Sequence, residues 1–479
     1  MRNWERSMKA DVLIVGGGIM GCSTAIELAR KGKSVIIFEK NIPGRHASGN
    51  NSGGVRCQGR DIREISFALE ARKMWDHHSK TVFSDCGFFV SPRLRLAESD
   101  ADMEVLVKRQ EKLNSLGYDH EVVVDREEVL RMSPNVSDHI VGGLVCYTDG
   151  LANPMLTSKA YATTAEREGV TIFSHTRVVE ATTTASGFKV RTSGGKEYEG
   201  EMLVNGTGAW AGRFSEMLGD PLPVFAAAPT MMVTDRMPDM MAGTSLGLTG
   251  RLLGLMAAQN GTIIVGGGYR SPHDLEKEKI WIDPMQMAKA SKIMIEILPG
   301  LRDAQMMRCW AAFEGCLADK VPIVGESTKV SGLFHVCGFS AHGFQMAPMM
   351  GRVMSQLVLG QKPELSLDDF RPDRFEDASY RWKAGCFKKQ HAEKKNGRRA
   401  HKLCGHFSLN NSQQFRLLAF EVSRGNEYLY GVFFDNPGYS GSLRNYEGIA
   451  CVIHVGRTCP SQLFVLSEII DKFATLAKR

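Results

Sequence analysis

Hydrophobic positions in the first forty residues follow two different periods. A continuous apolar run at 12–15 comes before three glycines, and an apolar-periodic stretch then extends to Lys31. A second apolar run at 35–38 ends at Glu39. A continuous apolar run is typical of a strand buried on both faces, and apolar residues three to four positions apart are typical of a helix. The pattern predicts a βαβ unit with two parallel strands.

The glycines between the first strand and the helix have the spacing of a dinucleotide-binding turn. Gly16 permits the tight turn, Gly18 lets the backbone approach a pyrophosphate, and Gly21 lets the helix pack close to the strand. Glu39 follows Gly21 by 18 residues, where a carboxylate accepts hydrogen bonds from ribose hydroxyls. The same site is expected to include Ile19, Met20 and Lys40. The alternative is an ordinary βαβ unit whose glycines serve only the turn.

The remaining pattern predicts helices and strands in an order that returns to the first sheet. Residues 44–60 are rich in Gly, Ser and Asn and are predicted to form an irregular loop. Helices are predicted at 62–77, 102–116, 127–132, 154–168, 284–298 and 348–359. Strands are predicted at 171–173, 177–181, 188–192, 202–204, 231–234, 262–265, 306–313 and 333–338. The first four of these strands are predicted to form a meander that rejoins the nucleotide-binding sheet.

Composition narrows the class of protein. The chain has 479 residues, enough for two or three domains, and 43% are hydrophobic, as in soluble globular proteins. No apolar run reaches the length of a membrane span, and the first ten residues do not resemble a signal peptide. Eleven cysteines without a Cys-x-x-Cys pair argue against a disulfide framework or a zinc ribbon, and no metal site is predicted. A reducing, cytoplasmic setting is expected.

The positive charge is concentrated near the end of the chain. The net charge is +6, and residues 383–402 contain eight Lys or Arg against one Glu. A solvated linker is the expected role of residues 388–399, and a nucleic-acid or membrane patch is the alternative. No nucleic-acid partner is predicted, because interleaved aromatic residues are scarce. Strands at 415–422, 429–434 and 449–455 and a helix at 463–477 are predicted after it. Residues 376–479 are therefore expected to be a basic linker followed by a small domain or tail.

Four separated segments resemble the FAD-dependent family of D-amino-acid oxidase, glycine oxidase and sarcosine oxidase. They are the N-terminal βαβ unit, the loop from Ala47 to Arg60, residues 206–210, and residues 319–325 together with 338–344. The loop resembles most the FAD subunits of bacterial amine and imino-acid dehydrogenases, such as those for hydroxyproline and opines. The resemblance implies an α/β fold, α+β overall, with a discontinuous Rossmann-like FAD domain at 10–85, 150–215 and 320–375. A substrate domain with an antiparallel sheet would comprise 86–149 and 216–319.

The resemblance also implies where FAD binds. Besides the N-terminal residues, the implied cofactor contacts are Ser48, Gly53, Gly54, Gly208, Trp210, Gly338, Ser340, Gly343, Phe344 and Gln345. Ser48 either bonds a phosphate or caps a helix. Two positions depart from the family. Ala312 stands where some members attach FAD covalently through a Cys, so non-covalent FAD is predicted. Gln345 stands where sarcosine oxidases carry a Lys, which removes a cation near the flavin.

Three side chains are candidates for catalysis. Arg60 is predicted to anchor a substrate carboxylate, because a planar guanidinium matches a carboxylate, and Arg56 is predicted to lie beside the flavin. A surface arginine or a phosphate contact is the alternative for each. His342, which lies in the segment from Gly338 to Gly343, is predicted to contact the flavin, and a structural histidine is the alternative. Glu314 and Asp319 either bind a substrate ammonium group or form salt bridges.

The predicted function is oxidation of the CH–NH bond of a small amino or imino acid to an imine, with hydride transfer to flavin N5. A D-amino acid, a sarcosine- or glycine-like amine, a proline-like imino acid or an opine would be the substrate. A partner subunit or a quinone is a candidate electron acceptor. The alternatives are an NAD(P)-linked dehydrogenase, a non-catalytic FAD-binding scaffold protein and a tRNA-modifying fusion, although no methyltransferase-like segment accompanies this fold.

Overall fold

The computed structural model describes residues 9–376 and the strand segments 399–408, 414–424, 427–435 and 451–455. The chain divides into two compact units after residue 377. No helix in the described part of the chain is long and apolar enough to cross a lipid bilayer.

The first unit alternates strands and helices along the chain. Its strands are β1 (Lys9–Val15), β2 (Val35–Phe38), β3 (Gly54–Val55), β4 (Phe89–Val90), β5 (Arg93–Ala97), β6 (Val122–Asp125), β7 (Gly142–Cys146), β8 (Gly150–Leu151), β9 (Thr171–Phe173), β10 (Val178–Thr184), β11 (Gly187–Thr192), β12 (Glu197–Asn205), β13 (Phe225–Ala227), β14 (Thr230–Arg236), β15 (Ser245–Leu248), β16 (Gly254–Ala257), β17 (Thr262–Gly266), β18 (His273–Asp274), β19 (Lys279–Ile280), β20 (Met306–Ala311), β21 (Glu314–Cys316), β22 (Ile323–Glu326) and β23 (Leu333–Cys337).

Its α-helices connect these strands and cover the sheets. They are α1 (Ile19–Arg30), α2 (Ala47–Asn50), α3 (Ile65–Asp76), α4 (His78–Val82), α5 (Asp100–Ser115), α6 (Arg126–Met132), α7 (Pro154–Arg167), α8 (Ala211–Glu216), α9 (Pro284–Ile297) and α10 (Gly343–Val358). Short 3₁₀ turns lie at Ile62–Glu64, Gly208–Trp210, Pro299–Leu301, Asp368–Phe370 and Pro372–Glu376.

One eight-stranded sheet contains the N-terminal strand at its centre. Strands β9, β2, β1, β12 and β23 pair in parallel in this order, and β22 pairs antiparallel with β23. Strand β11 pairs antiparallel with the first part of β12, and β10 pairs antiparallel with β11. These three strands form the meander. The predicted βαβ unit and the return of the meander to this sheet are therefore observed. The prediction is wrong for residues 171–173, which form β9 and pair in parallel with β2 instead of joining the meander.

The continuous apolar runs of β1 and β2 serve two cores at once. Successive side chains of a strand point to opposite faces, so Leu13 and Ile36 join the core on one face while Ile14 and Ile37 join the core beneath α1 and α10 on the other. Neither face is left for solvent, which explains why both runs lack polar alternation.

A second eight-stranded sheet is built from the middle of the chain. Its order is β20-β14-β17-β16-β15-β5-β7-β6, and every pair is antiparallel except β15 with β5. Leu94 and Leu96 of β5 are fully buried in its core, together with residues of α9. The mixed α/β class and the antiparallel character of this sheet agree with the sequence prediction. The predicted domain boundaries stay a prediction.

Several elements differ from the sequence prediction. Residues 44–60 are not wholly irregular, because they contain α2 and β3. The last helix of the unit begins at Gly343 and carries Pro348 inside it, whereas the pattern placed its start at Pro348. Proline is favoured in a first helical turn, which misled the prediction. Here the helix begins directly at the glycine turn.

The second unit contains an antiparallel sheet of β24 (Arg399–Ser408), β25 (Gln414–Arg424), β26 (Glu427–Asp435) and β27 (Cys451–Val455) in this order. The strands predicted from residue 415 onward correspond to β25, β26 and β27. The stretch predicted as a solvated linker, 388–399, lies outside the described residues except for Arg399, which pairs with Ser423 of β25, and its role stays a prediction. The helix predicted at 463–477 lies outside the described residues.

The contact between α1 and α10 depends on Gly351. A Cβ at this position would lie 2.0 Å from Ser23 Oγ and 2.7 Å from the Ser23 carbonyl carbon. We expect Gly351→Ala to force the helices apart and to lower stability by about 2 kcal/mol, which is roughly 4 °C in Tm. Thermal unfolding measures this. Gly194→Ala is the matched control, because a Cβ at Gly194 meets open space. Equal Tm values for the two variants would contradict the packing described here.

Candidate functional site

The turn between β1 and α1 brings three backbone segments into contact. Gly16 has φ +110°, and a Cβ there would lie 2.3 Å from the Gly206 carbonyl oxygen. A Cβ at Gly21 would lie 2.1 Å from the Gly16 carbonyl oxygen. Gly18 is the extended N-cap residue of α1, and it has no side chain to cap the helix. The first helical turn, with Ile19 and Met20, therefore presents N–H groups that have no partner within the helix.

Ser48 lies against the start of this helix. Its Oγ accepts a hydrogen bond of 3.0 Å from the Ile19 N–H, and a Cβ at Gly18 would lie 3.1 Å from it. Farther along the loop, Gly53 has φ +81° and a Cβ there would meet the Ala152 carbonyl oxygen at 2.3 Å. Gly54 opens β3, which pairs with β8. The loop thus runs directly past the glycine turn.

Glu39 is buried at the end of β2. Its Oε2 accepts a hydrogen bond of 2.8 Å from the Gly17 N–H, and its Oε1 accepts one of 2.8 Å from the Asn41 N–H. Burial raises the pKa of this carboxyl group, while the two N–H groups oppose that shift. The carboxylate is held beside the glycine turn, where a ribose of a dinucleotide would lie.

Lys40 and Trp210 contact each other. The Lys40 Nζ lies 3.0 Å from the centroid of the Trp210 ring and 2.9 Å from Glu278 Oε1. Trp210 ends the 3₁₀ turn that begins at Gly208, which has φ +58°, and its ring also packs against His46 at 4.9 Å between centroids. Sequence reasoning missed Glu278 and His46, because nothing local links them to this turn.

Arg60 is the most deeply buried of the predicted catalytic side chains, with 2% exposure. Its Nε and Nη2 donate to the Arg56 carbonyl oxygen at 3.0 and 2.8 Å, and Nη2 also donates to Gln345 Oε1 at 3.1 Å. Its Nη1 is buried and has no hydrogen-bond partner within the described residues. Burial and the charge of Arg56 lower the pKa of Arg60 to about 10, so it stays charged at neutral pH.

Gln345 fixes the direction of the Arg60 guanidinium. Its amide Nε2 donates to the Ala68 carbonyl oxygen at 2.7 Å, while its Oε1 accepts from Arg60. Its own carbonyl oxygen accepts from Trp75 Nε1 at 2.8 Å. Glutamine in place of lysine at position 345 therefore does more than remove a positive charge, because its neutral amide orients the guanidinium group of Arg60.

The loop that carries Arg56 and Arg60 is held by Asp149, which sequence reasoning did not select. Asp149 Oδ1 and Oδ2 accept hydrogen bonds of 2.6 and 3.2 Å from the N–H groups of Cys57 and Gln58. Arg56 in turn donates from Nη1 to the Gln58 carbonyl oxygen at 2.6 Å.

The turn after β23 has a strained backbone. Gly338, Ser340 and Ala341 have φ values of +76°, +50° and +73°. For residues other than glycine this conformation costs on the order of 1 kcal/mol or more, and such residues concentrate at functional sites. The Ser340 Oγ accepts from the Leu317 N–H at 3.2 Å and donates to the Gly338 carbonyl oxygen at 3.1 Å. The turn ends at Gly343, where α10 begins.

His342 in this turn pairs with a buried carboxylate. Its Nδ1 lies 2.8 Å from Glu64 Oε2, and Glu64 is fully buried. Burial, with the charge of Arg60 adding to it, lowers the pKa of His342 to about 4, so the imidazole is neutral at neutral pH. A neutral ring that donates from Nδ1 to Glu64 has Nε2 as an acceptor.

The two remaining carboxylates, Glu314 and Asp319, have different partners. Asp319 forms ion pairs with Arg374 at 3.2 Å and Arg63 at 3.4 Å, which fits the salt-bridge alternative. Glu314 Oε1 accepts from Cys316 Sγ at 3.4 Å, and burial raises its pKa.

The predicted segments converge on one region. A Cβ at Gly343 would lie 3.0 Å from Met20 Cε, which places the start of α10 against the start of α1. Phe344 packs against Trp75, with 5.5 Å between ring centroids. A Cβ at Gly315 would lie 2.6 Å from the Gly208 carbonyl oxygen. The glycine turn, the buried acid and these close backbone approaches fit an elongated dinucleotide such as FAD.

Comparison with known proteins agrees with this geometry. The chain is similar to a subunit of opine oxidase from Rhizobium meliloti, with 25% identity over 382 residues, 77% of this chain and 98% of the relative. It is similar to glycine oxidase of Bacillus subtilis (strain 168), with 24% identity over 381 residues, 76% of this chain and 98% of the relative. The crystal structure of L-proline dehydrogenase from P. horikoshii superposes with a TM-score of 0.72 at 24% identity, covering 78% of this chain and 99% of that one.

The family model described as FAD dependent oxidoreductase matches residues 11–357, about three quarters of the chain. The family resemblance seen in the four sequence segments is confirmed, and FAD, not NAD(P), is the cofactor of this family. The chain belongs to the family of FAD-dependent oxidoreductases.

Proposed function

We propose that this protein oxidises the CH–NH bond of a small amino or imino acid to an imine, which water then hydrolyses. FAD, when bound, supplies the acceptor for a hydride from the substrate carbon. Gly16, Gly18 and Gly21 would hold its pyrophosphate, Glu39 its ribose, and the turn at 338–343 with the start of α10 its ring. Ala312 offers no thiol for attachment, so we propose that FAD is bound non-covalently. The relatives named opine oxidase and glycine oxidase support this class of substrate.

The buried guanidinium of Arg60 is the observation that supports the proposal most. A desolvated cation with an unpartnered donor is costly unless an anion neutralises it. The carboxylate of an amino acid matches that need, and Nη1 is the guanidinium nitrogen left to donate to it. Arg60 would therefore hold the substrate by its carboxylate, and Gln345 would hold Arg60.

His342 would contact the other end of the reacting group. A neutral imidazole accepts a hydrogen bond from an amine N–H without taking the proton, and its neutrality adds no further positive charge beside Arg60. The buried Glu64 keeps the ring in one orientation. The site would then present a cation to the carboxylate and an acceptor to the amine.

The partner that removes the electrons belongs to the same proposal. One relative is named as part of a multi-subunit oxidase, which supports a partner subunit as acceptor, with a quinone as the other candidate. A scaffold protein that binds FAD without catalysis is the competing function.

Anaerobic bleaching of the flavin tests the function directly. We expect the purified protein to be yellow and to release FAD on acid precipitation, because the attachment is non-covalent. We expect an amino or imino acid from a panel of D-amino acids, sarcosine, glycine, prolines and opines to abolish the flavin absorbance without oxygen. Bound FAD that no member of the panel reduces would favour the scaffold function instead.

Arg60→Ala tests the carboxylate anchor. Removing one partner of a buried charge pair costs about 2–5 kcal/mol, so the substrate concentration for half-maximal bleaching should rise at least roughly 30-fold. FAD content per chain should not change. Arg60→Lys should restore part of the loss, since it keeps the charge, and the exposed Arg302→Ala is the control. Loss of FAD with an unchanged half-maximal concentration would instead assign Arg60 to the cofactor.

His342→Gln tests the neutral histidine through pH. The pKa of His342 is about 4 in the folded protein against 6.5 for an ordinary histidine, so between these values the unfolded chain binds more protons and stability falls as pH falls. We expect wild type to lose about 2 kcal/mol more than His342→Gln between pH 7 and pH 5 in urea unfolding. The exposed His77→Gln should behave as wild type. Equal losses in wild type and His342→Gln would show that His342 is not buried in its neutral form.

A further inference from the structure

Three further arginines lie together near Arg60. Arg56 comes from the loop before it, and Arg93 and Arg95 come from β5; these three form the arginine cluster. Arg93 and Arg95 alternate along β5 with Leu94 and Leu96, whose side chains are fully buried in the core. Because alternate side chains leave a strand on opposite faces, both guanidinium groups leave β5 on the face away from that core.

Glycines make the space that the cluster occupies. A Cβ at Gly59 would lie 3.1 Å from Arg95 Nη2 and 3.6 Å from Arg56 Nη1, so these two guanidinium groups approach one point. A Cβ at Gly247, which pairs with Arg95 across β15 and β5, would lie 2.8 Å from Arg93 Nη2. Larger residues at these positions would displace the guanidinium groups.

The cluster has no ion pair of its own. Within the described residues, no carboxylate oxygen lies within 4.0 Å of a guanidinium nitrogen of Arg56, Arg93 or Arg95. Arg56 donates to the Gln58 carbonyl oxygen, and Arg93 Nη1 lies 3.6 Å from the weak acceptor Met256 Sδ.

The nearest carboxylates are already engaged. Glu121 accepts from Arg109 Nε and Nη2, both at 2.6 Å, and from the Gly59 N–H at 2.7 Å. Asp149 accepts from two backbone N–H groups of the loop. Neither is available to compensate the cluster fully.

Positive charge therefore exceeds negative charge in this region. Five guanidinium groups, those of Arg56, Arg60, Arg93, Arg95 and Arg109, face three carboxylates, those of Glu64, Glu121 and Asp149. Burial lowers the pKa of Arg56, Arg93 and Arg95, Arg93 to about 9, and the positive charges of neighbouring arginines lower the pKa of Arg93 and Arg95 further. All remain charged at neutral pH. Arg60 is buried and the other four are half-buried, so an excess of two positive charges that are only partly solvated favours a ligand with two negative ones.

Arg56 connects the cluster to the proposed site. Its charge acts on the pKa of His342 and of Arg60, and also on that of Arg93 and Arg95. Arg60 also donates two hydrogen bonds to the Arg56 carbonyl oxygen, so the cluster adjoins the residues proposed to bind the substrate.

We propose that the substrate is an amine carrying two carboxylates, one bound by Arg60 and the second by the arginine cluster. This inference rests on the proposed function and specifies its substrate. A small amine with a single carboxylate would leave the cluster without a counterion and would bind more weakly.

Binding of an unreactive ligand pair tests the site without catalysis. Thiodiacetate is a thioether with two carboxylates and no oxidisable amine. The matched ligand is (methylthio)acetate, a thioether with a single carboxylate and likewise no amine. We expect calorimetry on the FAD-bound protein to show thiodiacetate bound at least roughly 30-fold more tightly. Arg93→Met and Arg95→Met should each reduce that preference about tenfold or more, while the exposed Arg302→Met should not change it. Equal affinities for the two ligands in wild type overturn the inference even if no variant folds.

The reactive pair separates this inference from the proposed function. Iminodiacetate and sarcosine differ in the same way, and we expect iminodiacetate to bleach the flavin at a much lower half-maximal concentration. Bleaching by both at equal concentrations overturns the dicarboxylate inference and leaves the proposed function standing. Bleaching by neither, nor by any amine of the panel, overturns the proposed function and with it the role of the cluster in substrate binding. Loss of FAD from Arg93→Met or Arg95→Met would assign the cluster to the cofactor and overturn the inference.

Discussion

The approach of two backbones at Gly16 and Gly206 is the constraint on which the rest of the structure depends. A side chain of any size at Gly16 would meet the Gly206 carbonyl oxygen at 2.3 Å, and one at Gly21 would meet Gly16 itself. Only bare backbone lets β1, α1 and β12 meet at one point. The start of α1 then faces the space where an anionic ligand would bind. Glu39 stabilises the turn by accepting a hydrogen bond from the Gly17 N–H. Every other part of the site is positioned relative to this junction.

Charge is the second theme of the molecule. Burying a guanidinium group without a carboxylate is unfavourable, and most proteins avoid it. Here Arg60 and the arginine cluster remain charged in a region where the available carboxylates are engaged by other groups. A structure tolerates such a shortage of negative charge when a ligand supplies it. The charge of the arginines therefore indicates the opposite charge of the ligand. They indicate an anion, and by their number an anion with more than one charged group.

Local features of this fold were predictable from sequence, and long-range ones were not. The βαβ unit and the meander follow from periods of two and 3.6 within short windows. The pairing of β5 with β15 joins residues about 150 positions apart, and nothing in Arg-Leu-Arg-Leu shows which sheet it enters. Gln345 was recognised as a departure from Lys, but its hydrogen bond to Arg60 spans 285 residues. Pro348 was taken as a helix start because a local rule favours it there.

The exchange of Lys for Gln at position 345 illustrates how such long-range contacts change the chemistry of a site. A lysine at position 345 would place a compact cation at the start of α10. Arg60 would then face a positive charge instead of the amide oxygen that accepts its hydrogen bond. The amide reverses this relation. Its oxygen accepts from Arg60 and its nitrogen donates to the Ala68 carbonyl oxygen, so the amide is held between these two residues. In the proposed site the cation comes instead from Arg60 in the loop, whose Nη1 is free to donate to a carboxylate. The sequence shows only that Gln345 lacks the positive charge of a lysine. The structure shows that a positive charge is still present nearby, on Arg60, which is hydrogen-bonded to Gln345.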